Sequence, residues 1–359
     1  MNRIILIGNG FDLAHGLKTK YEQFIDWLWK KEIEKIGNYN NPDSLDHIDG
    51  DYVTVYYLTD NQIRYLKNEQ NKNFKSLKAL CDQNIDMHPE LIFKNSFIEQ
   101  ISNKNNIQNW VDIEDEYYTG LKKCIDGINE IEKLNQDFEQ IKNELKNYLR
   151  AVNDELKNYT MDFPIKEIMG KIYSNIEQIN SILFLNFNYT MTHKFYSGEY
   201  DIDLYDRFIT KNIINIKKET IQIHGSIKDV NNNPIIFGYG DEIGKEYLEI
   251  ENLNDNRFLE NIKSIKYLET RNYKKLLDLI KSDYYQIFIM GHSCGLSDRT
   301  LLNTLFEHEN CVQIKLFYHK KENDTDNYSD VIRNISRNFA NKAIMREKIV
   351  NKMDSVPLK

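Results

Sequence analysis

Three features of the sequence predict an α/β fold: an open, mostly parallel sheet flanked by helices, with a large helical insertion between the first and second core strands. Five short apolar runs, Ile4–Ile7, Ile182–Phe187, Thr220–Ile223, Tyr285–Met290 and Val312–Tyr318, are β-branched or aromatic and mostly end in polar or glycine-containing turns. Such runs suit strands buried on both faces, as in a parallel sheet. Helical patterns separate several of them, notably Tyr273–Ile280 before the fourth and Asp298–Glu309 after it. Finally, the first run stops in Gly8-Asn9-Gly10, and the residues from Phe11 onward can open a helix. Strand, glycine turn, helix is the opening of a doubly wound, Rossmann-like sheet.

Taken in order, the first element carries the most information. The two glycines allow a tight turn that a Cβ would block, and such a turn can offer backbone N–H groups to a phosphate. The next glycine is Gly16, so the G-x-G-x-x-G fingerprint is not met; alone, the turn reads as an ordinary strand-to-helix connection. Segment 38–52, rich in Asn and Asp, and segment 321–329 read as exposed loops. Residues 60–180 show no strand pattern and hold only Pro89 and Pro164. Within them Ile131, Leu134, Phe138, Ile141, Leu145, Tyr148 and Val152 recur at spacings of three and four, an apolar seam on one long helix. A helix docking on its own domain is the commoner use of such a seam; a homo-oligomer would use the same one. Residues 1–59 therefore read as the start of the α/β domain, 60–180 as a helical insertion or lid, and 181–359 as the remainder. Pro234–Tyr239 is a weaker sixth strand, and Ile332–Met353 suggests a closing helix.

Composition narrows the function. The 359-residue chain has a net charge of −8 and a pI near 5.6, so it carries no general attraction for nucleic acid or anionic lipid. Cys81, Cys124, Cys294 and Cys311 form no C-x-x-C pair, which gives neither a zinc knuckle nor a disulfide framework. The first residues run straight into a strand without the n-region of a signal peptide, and no apolar stretch is long enough for a membrane span. A reduced, soluble, cytoplasmic protein is expected, with no metal and no membrane contact.

Ligands of open α/β sheets bind outside the carboxyl ends of the strands. Four strand ends deliver small or amide residues there: Gly8-Asn9-Gly10, Asn186-Phe-Asn188-Tyr-Thr190, His224-Gly225-Ser226, and Gly291-His-Ser293-Cys-Gly295 with Asp298 beyond. Each has a plain structural explanation. Asn186 and Asn188 suit turns, a lone His224 is more often a satisfied histidine than a base, and Ser297 and Asp298 suit the start of a helix. Their coincidence at four strand ends favours a site.

The opening Ile5-Leu-Ile-Gly-Asn-Gly-Phe-Asp-Leu-Ala-His-Gly-Leu-Lys-Thr-Lys-Tyr21 resembles the start of the AbiH family of bacteriophage abortive-infection proteins. Asn109-Trp-Val-Asp-Ile-Glu114, Phe187-Asn-Tyr-Thr190, His224-Gly-Ser226 and Gly291-His-Ser293 with Asp298 follow in the same order. That family is similar, more distantly, to the sirtuin-like NAD-binding proteins of phage defence. The resemblance implies a sirtuin-like sheet and NAD, or a related nucleotide, as substrate or ligand. It also implies a phage-derived trigger. Asn188 and His224 then fall on catalytic positions; Gly8, Asn9, Gly10, Phe11, Asp12, Gly225, Ser293 and Asp298 fall on cofactor contacts. Thr190 stands where the wider group often has an acid, and the zinc module of sirtuin deacylases is absent, which disfavours protein deacylation.

The implied reaction is hydrolysis of the nicotinamide–ribose bond, through an oxocarbenium-like state. Nicotinamide leaves from a cationic ring and needs no proton, so a base such as His224 and an orienting amide such as Asn188 suffice. Asp12 or Asp298 would stabilise developing positive charge. A non-catalytic nucleotide sensor is the alternative. A nuclease is less favoured, although Asp112, Glu114 and Asp115 keep it open; acids beside Trp110 on a helix are more often a solvated face.

Overall fold

The computed structural model describes residues 1–38, 47–82, 89–104, 110–125, 127, 130–156, 163–198, 216–321 and 323–359. Among them lie eight strands: β1 Asn2–Ile7, β2 His47–Asp49, β3 Val53–Tyr56, β4 Glu90–Phe93, β5 Ser181–Asn186, β6 Lys217–Gln222, β7 Tyr285–Met290 and β8 Cys311–Phe317. The chain divides into two compact units, one of Met1–Thr19 with Leu149–Lys359, the other Lys20–Tyr148.

The first unit holds a five-stranded sheet ordered β6-β5-β1-β7-β8, parallel at every pair. Numbered along the chain, its strands run 3-2-1-4-5, the doubly wound order whose direction reverses between the first and fourth strands. The five apolar runs predict all five strands, with ends shifted by up to three residues, most at β6, which starts at Lys217 rather than Thr220. β1 and β7 are wholly buried, as central strands covered on both faces must be. Ile5 sits between Phe184 and Phe288 in the two adjacent strands. Leu276 and Ile280 of the helix Asn272–Ser282 and Leu301, Leu302, Leu305 and Phe306 of the helix Arg299–Glu307 pack with Ile4, Leu6, Ile287 and Ile289 in one core.

On the opposite face of β1, Arg3 is the charged exception, 1% exposed. Its guanidinium lies 4.4 Å from the centre of the Phe288 ring and donates from Nη1 to Ile172 O at 2.5 Å. With its amide oxygen turned inward, Gln286 accepts from Nη2 at 2.9 Å and Nε at 3.1 Å. Burial lowers the Arg3 pKa to about 10, which leaves it charged at neutral pH.

Two local expectations are corrected here. Pro234–Tyr239 is not a strand: Pro234 has no N–H to donate, and the segment spends its hydrogen bonds on loops, Ile236 N–H to His224 O at 2.8 Å and Tyr239 N–H to Asn261 O at 3.2 Å. A single parallel bridge joins Tyr239 to Ile262. The closing helix is two helices, Tyr328–Asn338 and Lys342–Lys348, so Tyr328 lies in a helix and is buried rather than part of an exposed loop.

In the second unit β2, β3 and β4 form an antiparallel sheet, among helices that include Tyr21–Gly37 and most of Ile131–Glu155. β4 lies within 60–180, where no strand is expected from the sequence, and β2 lies within 38–52; residues 39–46 of that segment are outside the described residues. Strands of three or four residues are too short for periodicity to distinguish. The buried carboxylate of Glu32 accepts backbone N–H groups from Asp51, Tyr52 and Val53 at 3.0, 2.8 and 3.1 Å and so fixes the start of β3. Ile131, Phe138, Ile141 and Leu145 of the expected seam are buried, with Phe138 stacked on Tyr117 at 4.0 Å. Among the described residues no helix is long and apolar enough to cross a membrane.

Candidate functional site

The residues singled out at the strand ends all belong to the first unit and meet where the strand order reverses. The turn after β1 and the turn after β7 are locked together. Gly8 N–H donates to Met290 O at 3.2 Å, and Gly10 N–H to Gly291 O at 2.8 Å. A Cβ on Gly8 would lie 2.5 Å from His292 Cα, one on Gly10 would lie 2.9 Å from Gly291 Cα, and one on Gly291 would lie 2.0 Å from Phe11 N. Gly291 also has a φ of +75°. The glycines thus let two backbones touch, a use glycine serves as readily as phosphate binding. Phe11 N–H turns back to Gly8 O at 2.8 Å. Asn9, half-buried, is the residue of this turn whose side-chain amide has no hydrogen bond among the described residues.

Phe11 and Asp12 face inward. Phe11 packs on His15 and Tyr196, ring centres 4.7 and 5.4 Å away. His15 is held between Phe11 O at 2.7 Å and the Tyr196 hydroxyl at 2.5 Å, and burial lowers its pKa to about 4. Asp12, 1% exposed, accepts from Thr190 Oγ1 at 2.5 Å and Thr192 Oγ1 at 2.6 Å. Burial raises its pKa to about 6 against those hydrogen bonds. Thr190 is therefore the partner of an acid rather than an acid itself.

The loop after β5 is organised by Asn186, which accepts from Asn188 N–H at 2.9 Å and donates to Thr190 O at 3.1 Å. That Asx-type turn aims Asn188 Nδ2 at Gly8 O, 3.0 Å away, so the second strand end is tied to the first. Among the described residues Asn188 Oδ1 has no hydrogen-bond partner. The flanking rings turn toward the histidines: Phe187 lies 5.0 Å from His224 and 4.3 Å from His292, centre to centre, and Tyr189 lies 6.4 Å from His224.

At the centre sits one carboxylate. Asp298, 5% exposed, offers Oδ1 to His224 Nε2 at 3.1 Å and to Lys263 Nζ at 2.8 Å, while Oδ2 faces His292 Nε2 at 3.4 Å. Burial opposes its charge, but Lys263 and His224 hold its carboxyl well below the usual range. An ionised carboxylate only accepts, so His224 carries its hydrogen on Nε2. The Tyr267 hydroxyl lies 3.0 Å from the same nitrogen. Among the described residues His224 Nδ1 has no hydrogen-bond partner. Burial, then the charge of Lys263, lowers the His224 pKa to about 4, so the imidazole is neutral at pH 7. His292 accepts the Cys294 N–H on Nδ1 at 2.9 Å, which leaves its Nε2–H for Asp298. Cys294 takes a left-handed φ of 55° in that turn.

The expected sites therefore divide. Asn188, His224, Gly225 and Asp298 come together with the two glycine turns, and Ser293 stands exposed on the rim, its carbonyl accepting from Asn334 Nδ2 at 2.9 Å. Gly225, at a φ of +93°, lets Pro234 O approach to where a Cβ would be 2.0 Å away. Asp298 starts the helix Arg299–Glu307 but makes no side-chain cap; its oxygens go to Lys263 and the histidines. Lys263 and Tyr267, from a short helical segment, are absent from the sequence-level site. The spacing Gly238-Tyr-Gly240, whose glycines admit Asn261 O and Ser297 O, is the signal that a close approach occurs there.

The acidic block belongs to the helix Trp110–Cys124 of the second unit. Glu114 is buried and Glu116 pairs with Lys104 and Gln100, so this is not the solvated face expected; the side chain of Trp110 is outside the described residues. Among the described residues no group of three or more His, Cys, Asp and Glu could hold a metal ion, and beside the two histidines the ammonium of Lys263 already occupies Asp298.

A family described as bacteriophage abortive infection AbiH matches residues 4–320. No curated protein matches the chain.

Proposed function

The chain belongs to the AbiH family of bacteriophage abortive-infection proteins, and with it to defence against phage; from that premise we propose that it binds NAD and hydrolyses the nicotinamide–ribose bond. The observation that carries the reading is the neutral His224, held by Asp298 at 3.1 Å with its Nδ1 lone pair uncommitted, beside an Asn188 whose Oδ1 is uncommitted too. In the reaction the C1′–N1 bond breaks, its electron pair leaves with nicotinamide, and water adds to C1′. The proton of that water passes to His224 Nδ1 and on to solvent, giving nicotinamide, ADP-ribose and H⁺. An oxocarbenium-like transition state asks little of its nucleophile, so a base with a pKa of about 4 serves, and it is unprotonated across the physiological range. Asn188 orients the water or a ribose hydroxyl.

The other expected contacts take more limited roles. Asp298 acts through His224. Gly8, Gly10 and Gly225 shape the wall, Phe11 and Asp12 brace it from inside, and Asn9 and Ser293 are the groups of the rim left for the phosphates and ribose. Release of nicotinamide, assayed on purified protein and as NAD content of phage-infected cells, tests the proposal. Asn188→Ala and His224→Ala should abolish release while circular dichroism stays unchanged; undiminished release from either variant refutes the assignment. Calorimetric binding of NAD without nicotinamide or ADP-ribose would instead identify a nucleotide sensor, and metal-dependent degradation of DNA or RNA a nuclease.

A further inference from the structure

Lys263 is 1% exposed, a costly place for an ammonium unless its partner is well placed. Its position is fixed by backbone devices. Lys263 N–H donates to Tyr239 O at 2.8 Å, and Gly238 and Gly240 admit the chain so closely that Cβ atoms there would lie 2.0 Å from Asn261 O and 2.4 Å from Ser297 O. Nζ then sits 2.8 Å from Asp298 Oδ1 and 3.5 Å from Ser297 Oγ. The same Oδ1 holds His224 Nε2.

Charge balance gives this geometry a consequence. Around His224 stand Asp298, Lys263, His292, Tyr267 and Tyr189, with the Phe187 ring against it. Lys263 and Asp298 cancel, so no imidazole proton is needed to neutralise the buried carboxylate, and a second cation would face the first. We propose that Lys263 is a positioning residue for His224: its ammonium neutralises Asp298, so that His224 stays uncharged with Nε2–H on the carboxylate and the Nδ1 lone pair free. Use of that lone pair as a base rests on the nicotinamide-releasing reading above; the protonation state itself does not. Without the ammonium, Asp298 would be the lone buried charge between two imidazoles, and His224 would take up a proton to balance it.

Nitrogen NMR of the full-length protein labelled in its histidines, with His224 assigned by its loss in His224→Gln, reads this directly. In the native protein His224 should remain the neutral Nε2–H tautomer from pH 5.5 to pH 8. In Lys263→Met it should titrate near the ordinary value of about 6.5, and Lys263→Arg should return it to the neutral form. NAD turnover by Lys263→Met should then fall about ten-fold from pH 8 to pH 5.5, one unit below that value, while the native rate changes less than two-fold; a merely structural salt bridge would lower the rate equally at every pH. An imidazolium or an Nδ1–H tautomer in the native protein overturns the proposal, and so does an unchanged His224 titration in folded Lys263→Met. If that variant fails to fold, the native spectrum decides. If the native protein proves not to cleave NAD, the proposed reaction falls and the nitrogen spectra still decide the role of Lys263.

Discussion

Asp12 should make the folded protein more stable, relative to an Asp12→Asn variant, at low pH than at high pH. The carboxyl group is 1% exposed and meets the Thr190 and Thr192 hydroxyls and the Asn188 amide, none of which is a cation. Burial therefore wins over the hydrogen bonds and lifts its pKa to about 6, against roughly 3.9 in the unfolded chain. A folded pKa above the unfolded one contributes stability that is full below pH 3.9 and is lost as pH rises through 6. Two units correspond to about 3 kcal/mol, of which roughly 2 kcal/mol develops between pH 4 and pH 7. Asparagine keeps the shape, can accept from one threonine and donate to the other, and does not titrate.

Denaturant unfolding of the native protein and of Asp12→Asn, each at pH 4, 5, 6 and 7, isolates this contribution, because every other group titrates alike in both. The variant should gain on the native protein by about 2 kcal/mol from pH 4 to pH 7. A constant difference would mean that Asp12 ionises as easily in the fold as in the unfolded chain. A gain of the native protein with rising pH would mean that the charge is stabilised there, and the argument from burial would be wrong.

Two further outcomes rest on packing. Gly291→Ala combines a φ of +75° with a Cβ 2.0 Å from Phe11 N, so strain and overpacking together should cost about 2–4 kcal/mol. Gly16→Ala, at a φ of +78° with nothing within 4 Å of its Cβ, should cost only about 1–2 kcal/mol; equal losses in the two melts would show that the locked turns do not matter. Arg3→Met leaves Ile172 O and the Gln286 amide without their donor and should cost about 2–4 kcal/mol, measured by denaturant unfolding, and a neutral result would mean that the apolar sheet accepts methionine as well as the guanidinium.

The centre of the sheet was legible because β1, β5 and β7 are apolar without alternation and end in turn residues, whereas β6, Lys-Lys-Glu-Thr-Ile-Gln, showed only its C-terminal part. β7 falls on Tyr285–Met290 at both ends, since the Ser282-Asp283 and Gly291 boundaries leave no choice. What the sequence hid is spatial. The three-residue strand His47–Asp49 carries no periodicity to read, and Lys263-Ser-Ile-Lys266 looks like a polar surface turn. Nothing in that spacing says that its first lysine points into the molecule while Lys266 pairs with Glu269 at the surface. Asp298 was visible as a strand-end acid, but a helix start and an ion pair with Lys263 look the same in one dimension.

The glycine turn illustrates how a close backbone contact can take up the donors that a strand-glycine-helix motif would offer a ligand. Gly8 and Gly10 do sit at the reversal of strand order, yet their N–H groups are spent on Met290 O and Gly291 O. The Asn188 Nδ2 donor is spent on Gly8 O. Among the described residues, the side-chain atoms at these strand ends without a hydrogen-bond partner include the lone pairs on His224 Nδ1 and Asn188 Oδ1. Lone pairs suit a ligand that presents hydroxyls or positive charge, and repel phosphate oxygens. For NAD, this favours the ribose and its cationic nicotinamide at the strand ends, with the phosphates outward toward Asn9 and Ser293. Under the proposed reaction, the locked turns would select the ribose and nicotinamide end of NAD by exclusion as much as by contact.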